Sequence, residues 1–81
     1  MTIDHRGIDP PYVQLAAILR GEIQRGELAP GQMVPSIVTL SQQYGVAKTT
    51  VRKSLALLRE EGLIVTRPSW GTFVVPEAGR S

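Results

Sequence analysis

Three residues, Gly45-Val46-Ala47, constrain this chain more than any others. They link two stretches that each read as a short helix, 37–44 and 48–61. The first carries Leu40 and Tyr44 on its inward face, and the second carries Val51, Leu55 and Leu58 as a buried stripe. Two helices joined by three residues that include Gly have the spacing of a helix-turn-helix. Gly45 ends the first helix and takes φ > 0 at little cost. Val46 is a hydrophobic plug in the turn. Ser36 is placed to cap the first helix, its oxygen accepting an orphan backbone N–H near Val38 or Thr39. Ala47 gives the second helix a poor cap.

The flanking segments complete one small domain. Gly62 closes the second helix. Residues 63–67 and 72–75 are rich in Leu, Ile, Val, Thr and Phe and read as strands joined by Pro68-Ser69-Trp70-Gly71. A two-stranded ribbon is not stable alone. The sequence therefore predicts that it packs on the helices, through Leu63, Val65, Phe73 and Val75. Residues 33–35 supply at most a very short strand as a third edge. Upstream, Leu15, Ile18, Leu19 and Ile23 recur at helical spacing and predict a helix over 12–25. Gly21 weakens its middle by roughly 1 kcal/mol relative to Ala, Gly26 stops it, and Pro30-Gly31 marks a turn. The expectation is a mainly α fold with a small β wing: three helices and a two- or three-stranded antiparallel sheet. The domain spans 12–75, with a flexible arm at 1–11 and a flexible tail at 76–81.

Composition narrows the functional classes. Cysteine is absent, which removes disulfides and Cys-based zinc sites. His5 is the single histidine and builds no metal cluster alone. No paired His or convergent acidic pair suggests catalysis, so the expectation is a non-enzyme without a cofactor. The apolar runs are far too short for a membrane span, and MTIDHRG lacks the core of a secretory signal, so a cytoplasmic chain is expected. The net charge of +2 is modest, but its distribution is uneven. From Lys48 to Arg67 there are five basic residues against Glu60 and Glu61, a surplus of three, while the remainder nets −1.

With Val51, Leu55 and Leu58 inward, the second helix presents Lys48, Thr49, Thr50, Arg52 and Lys53 outward over its first two turns. In a helix-turn-helix those residues enter the major groove. Arg or Lys donates to guanine O6 and N7, and a Thr methyl packs on a thymine methyl. Arg52 and Lys48 are placed near base edges, Thr49 and Thr50 between base and phosphate, and Lys53 on phosphate. On an isolated helix such a face is ordinarily solubilising charge. Here it follows a Gly-containing turn and precedes a hairpin. Arg59 is weaker evidence, because positive charge in the last turns simply suits the helix dipole. Glu60 and Glu61 are expected to face away from DNA. In the hairpin, Arg67 is a natural phosphate contact, and Gly71 supplies positive φ or a close backbone approach. Thr72 is either a strand residue or a phosphate donor. Trp70 at the turn tip packs back on the domain, meets another protomer, or contacts DNA.

The stretches PPYVQLAAILRGEIQRGELAPGQMVPS, LSQQYGVAKTTVRKSLALLREEGLI and TRPSWGTFV together resemble the N-terminal winged-helix DNA-binding domain of the GntR family of bacterial transcription regulators. The resemblance covers about residues 10–75. It implies a regulator, repressing more often than activating, that binds double-stranded palindromic operators as a homodimer. By matched position it implies that Lys48 and Arg52 are the basic recognition residues, with Thr49 and Thr50 between them, and that Gly71 is the wing glycine; Ser36 is also counted among the candidate DNA contacts. Family members usually continue into a C-terminal domain that supplies dimerisation and takes the effector ligand. Three departures stand out. Ile37 and Val38 occupy positions usually acidic and then arginine, Ala47 replaces a usual Ser or Thr, and Trp70 replaces a small or basic wing residue. The run from Ile37 to Ala47 holds no charged residue. A rival reading follows, a protein-interaction module using that uncharged 37–47 surface and Trp70.

Overall fold

The computed structural model describes residues 3–76, so most of the expected 76–81 tail lies outside the described residues. The element order is α1 (Pro11–Gln24), α2 (Ile37–Tyr44), α3 (Lys48–Glu60), β1 (Ile64–Arg67) and β2 (Gly71–Val74). The chain is thus a three-helix domain with a small antiparallel wing. α1 begins one residue earlier than expected because Pro11 occupies its first turn, where a missing N–H costs nothing. No helix among the described residues is long and apolar enough to cross a membrane.

The core lies where α1 crosses α3. Leu15, Leu19, Val51 and Leu58 are its most enclosed side chains, with Leu40 entering from α2 and Val74 from the wing. Ser54 is buried among them, and its hydroxyl lies 2.7 Å from the Tyr12 carbonyl and 3.0 Å from that of Thr50. One polar side chain thereby ties the start of α1 to the middle of α3. At the far end, Arg20 grips Glu61 through two bonds, Nε to Oε1 at 2.7 Å and Nη2 to Oε2 at 2.5 Å. That fork holds the Glu61 carboxyl below its ordinary range, mainly by hydrogen bonding, with burial opposing.

The α2–α3 turn is built as expected. Gly45 has φ 65°, Val46 is buried, and the Ser41 hydroxyl donates to the Val46 carbonyl at 2.6 Å. Ser36 caps α2 by accepting from the Thr39 amide at 3.1 Å. Ala47 holds the same extended cap conformation but offers no side-chain acceptor.

Two expectations need correction. The hairpin packs inward through Ile64 and Val74, with Leu63 only half-buried, while Val65 is 36% exposed and Phe73 and Val75 stay half-buried. Side chains alternate along a strand, so a one-residue shift exchanges the two faces. Leu63-Ile64-Val65 is apolar throughout and carries no alternation from which to read that parity. The segment 3–10 is also more than a loose arm. Ile3 is 6% exposed, and Gln14 of α1 holds the chain around it. The Gln14 oxygen accepts from the Asp4 amide at 2.7 Å, and its nitrogen donates to the Asp4 and Asp9 carbonyls at 2.6 and 2.7 Å. No local pattern announces a contact of that kind.

The third edge reduces to one bridge, Met33 to Phe73. Around it the Val34 amide donates to Thr72 at 2.7 Å, and the Val74 amide donates to Gln32 at 2.9 Å. These bonds cover the outer edge of β2 and hold the wing against the loop before α2.

Candidate nucleic-acid interface

α3 presents its first two turns to solvent. Lys48, Thr49 and Arg52 are exposed and Thr50 is half-buried, while Val51, Ser54 and Leu55 form the inward side. The helical period produces this division, since 51, 54, 55 and 58 repeat at three- and four-residue steps. With no cap from Ala47, the first amides of α3 remain unsatisfied by any side chain, and the helix dipole adds partial positive charge there. Lys53 leans to the α1 side, its ammonium 5.7 Å from the centre of the Tyr12 ring. It is therefore the cation of this group turned furthest towards α1.

The wing pairs Ile64 with Val74, Val65 with Phe73, Thr66 with Thr72 and Arg67 with Gly71. Pro68 and Ser69 occupy the corner of the turn, closed by the Trp70 amide donating to the Arg67 carbonyl at 3.0 Å. Pro68 presets the first corner dihedral, and the second must be left-handed in a turn of this pattern. Ser69 adopts it at φ 67°, the one non-glycine residue among those described with positive φ. Gly71 follows at φ 123°, so the expected positive φ at this glycine is present.

Strand alternation divides the wing residues between two sides. Thr66 and Thr72 face α3, with their hydroxyl oxygens 3.2 Å apart, and Arg59 donates to Thr66 at 3.0 Å. Arg52, Ser36, Gly71 and Thr72 line one groove between α3, the wing and the loop before α2, with Arg59 and Ile37 also in its wall. Arg67 instead joins Pro68 and Trp70 at the tip, on the opposite face. The structure therefore brings together Arg52, Ser36, Gly71 and Thr72, sets Lys48, Thr49 and Thr50 on the adjoining helix end, and leaves Lys53 and Arg67 on the flanks.

Trp70 is 75% exposed, so it does not pack back into the domain. It borders a shallow hollow with Gly31, Val65 and Phe73, whereas Ile37 lies in the groove beside α3. Ile37 and Trp70 thus border different hollows. Val38 is 47% exposed near the start of α2. Arg59 is tethered to Thr66, a contact that depends on hairpin register and leaves no local trace in the sequence.

Comparison with known proteins agrees with this architecture. Residues 11–74 match the family described as bacterial regulatory proteins, gntR family. The transcriptional repressor NagR of Bacillus subtilis (strain 168) is 36% identical over 74 residues, which cover 91% of this chain and 30% of NagR. The uncharacterized HTH-type transcriptional regulator YieP of Escherichia coli (strain K12) is 38% identical over 61 residues, 75% of this chain and 24% of YieP. The chain thus spans under a third of the length of these curated relatives. Among solved structures, AraR(DBD) in complex with operator ORX1 superposes with a TM-score of 0.81 at 34% identity, covering 84% of this chain and 82% of that one. YtrA from Sulfolobus acidocaldarius, a GntR-family transcription factor, gives a TM-score of 0.83 at 37% identity, covering 94% and 79%. With the helix order, the glycine-closed turn and the wing all in place across the matched span, the chain belongs to the GntR family of bacterial regulatory proteins.

Proposed function

We propose that this domain binds double-stranded operator DNA and regulates transcription, acting chiefly as a repressor. α3 enters the major groove, and the 67–72 wing rests on the backbone or the adjacent minor groove. Lys48 and Arg52 read base edges, Thr49 and Thr50 divide between bases and phosphate, and the wing contributes Arg67, Gly71 and Thr72. Ser36 and Lys53 contact phosphate. The observation that carries this reading is the uncapped, cation-bearing start of α3 standing beside a groove that joins it to the wing. The likeness to AraR(DBD), solved with its operator, supports the same use of this scaffold. The regulator would act in the cytoplasm as a homodimer on a palindromic site, with any effector ligand taken by a C-terminal domain. No residue is assigned a catalytic role.

The test is an anisotropy titration against a duplex from the promoter region beside the protein's own gene, with a scrambled duplex at matched salt. Specific binding that weakens steeply with salt is expected, because phosphate contacts release counterions. The double variant K48E/R52E should abolish it. Equal affinity for both duplexes, or full binding by the double variant, would overturn the proposal. The rival interaction-module reading keeps two supporting observations, the exposed Val38 and the exposed Trp70. It predicts the reverse, with charge at Val38 harmful and K48E/R52E tolerated.

A further inference from the structure

We infer that Arg59 is a backbone clamp, holding a phosphate of the one DNA strand that passes between α3 and the wing. The inference rests on the DNA-binding reading above and extends it to a residue outside the expected contact set. If α3 occupies a major groove and the wing reaches the next minor groove, the strand dividing those grooves must cross the space between the two elements. In this chain that space is the groove lined by Arg52, Arg59, Thr66 and Thr72.

The groove has the chemistry a phosphate strand needs. Arg52 and Arg59 lie two turns apart on α3, about 10.5 Å along its axis. That separation sets Arg59 beyond the base-reading start of α3, at the level of the strand, which carries a charge about every 3.4 Å of duplex axis. Both side chains are exposed, and the two ion pairs among the described residues lie elsewhere, at Arg20–Glu61 and Arg25–Glu27. Arg59 is also pre-positioned. Its Nη1 donates to the Thr66 hydroxyl at 3.0 Å, and Thr66 lies 3.2 Å from Thr72 across the hairpin. One guanidinium nitrogen is bonded to the wing and Arg59 lines the groove, so the side chain is partly ordered beforehand, which lowers the ordering cost of binding. A second feature makes the site matter here. The α2 side of the groove is apolar at Ile37, so its cations come from α3 alone. Arg59 thereby supplies charge that α2 does not.

The test compares wild type, R59Q, R59K and T66V by anisotropy on operator and scrambled duplexes from 50 to 200 mM KCl. R59Q removes the charge and shortens the side chain, keeping only an amide donor, whereas R59K keeps the charge on a long side chain. R59Q should weaken both duplexes by the same factor, and its log K against log salt slope should flatten by about 0.9 per bound chain. The ratio of wild-type to R59Q affinity should then shrink by about 3.5-fold across that salt range. R59K should keep the wild-type slope. T66V should keep it also, with lower affinity, because the charge remains and only its anchor is lost. An R59Q slope parallel to wild type overturns the inference, even if its melting temperature falls, since a purely structural brace moves stability and not the slope. The two proposals fail differently. A wild type that does not discriminate operator from scrambled DNA ends the operator reading, whereas operator binding lost in K48E/R52E but unchanged in R59Q ends only the clamp.

Discussion

The sharpest stability experiment lies in the contrast between two helix starts. Ser36 caps α2 with φ −65° and ψ 162°, and Ala47 precedes α3 with φ −65° and ψ 152°. The backbone is therefore already set for capping at position 47, and only the acceptor oxygen is missing. In Ala47→Ser the hydroxyl should fall where Ser36 places its own, within reach of the Thr50 amide as Ser36 reaches that of Thr39 at 3.1 Å. Ala47 is exposed, so the added atom displaces no packed neighbour. An N-cap serine in place of alanine is worth about 1 kcal/mol, and in a domain of this size that raises Tm by roughly 4–8 °C. Thermal unfolding followed by circular dichroism measures it. The reciprocal variant Ser36→Ala should lower Tm by a similar amount. An Ala47→Ser variant with unchanged Tm beside a Ser36→Ala variant with a lowered one would refute the equivalence of the two cap positions.

Two other outcomes follow from local geometry. Ser69 holds a left-handed φ of 67° that costs an L-residue about 1–2 kcal/mol. Glycine there regains about 0.4–1 kcal/mol of unfolded-state freedom against that relief. Ser69→Gly should therefore stabilise the wing slightly, read as slower exchange of the Trp70 amide, and faster exchange would contradict it. The Glu61 carboxyl is lowered from an ordinary value of 4.5 by its hydrogen bonds from Arg20. A depressed folded-state pKa stabilises above the unfolded value and loses that contribution as pH falls through the folded one. Wild type should therefore melt above Glu61→Gln at neutral pH, and the two curves should converge as pH drops below about 4.5. A gap that persists at low pH would show that the pair is not the cause.

The helices were legible from local signals. Apolar spacing, Gly45 and Ser36 place α2 and α3 almost to the residue, because period, stop and cap are all written within a few positions. The basic start of α3 was legible for the same reason, since the buried stripe dictates what faces out. Tertiary structure decided what depends on pairing across distance. Hairpin parity put Ile64 and Val74 inward instead of Val65 and Phe73, and a three-residue apolar run carries no signal for that choice. The same parity turned Thr66 towards α3, where Arg59 could reach it, and sent Arg67 to the other side. Gln14 captured the segment around Ile3 through bonds spanning up to ten residues, and Ser54 became a buried tie to the Tyr12 carbonyl, 42 residues away in sequence. The sequence alone determined which elements exist and which helix face is basic, because those depend on residues one turn apart. The groove between helix and wing belongs to the tertiary structure, because its walls meet only when strand register and helix packing are settled together.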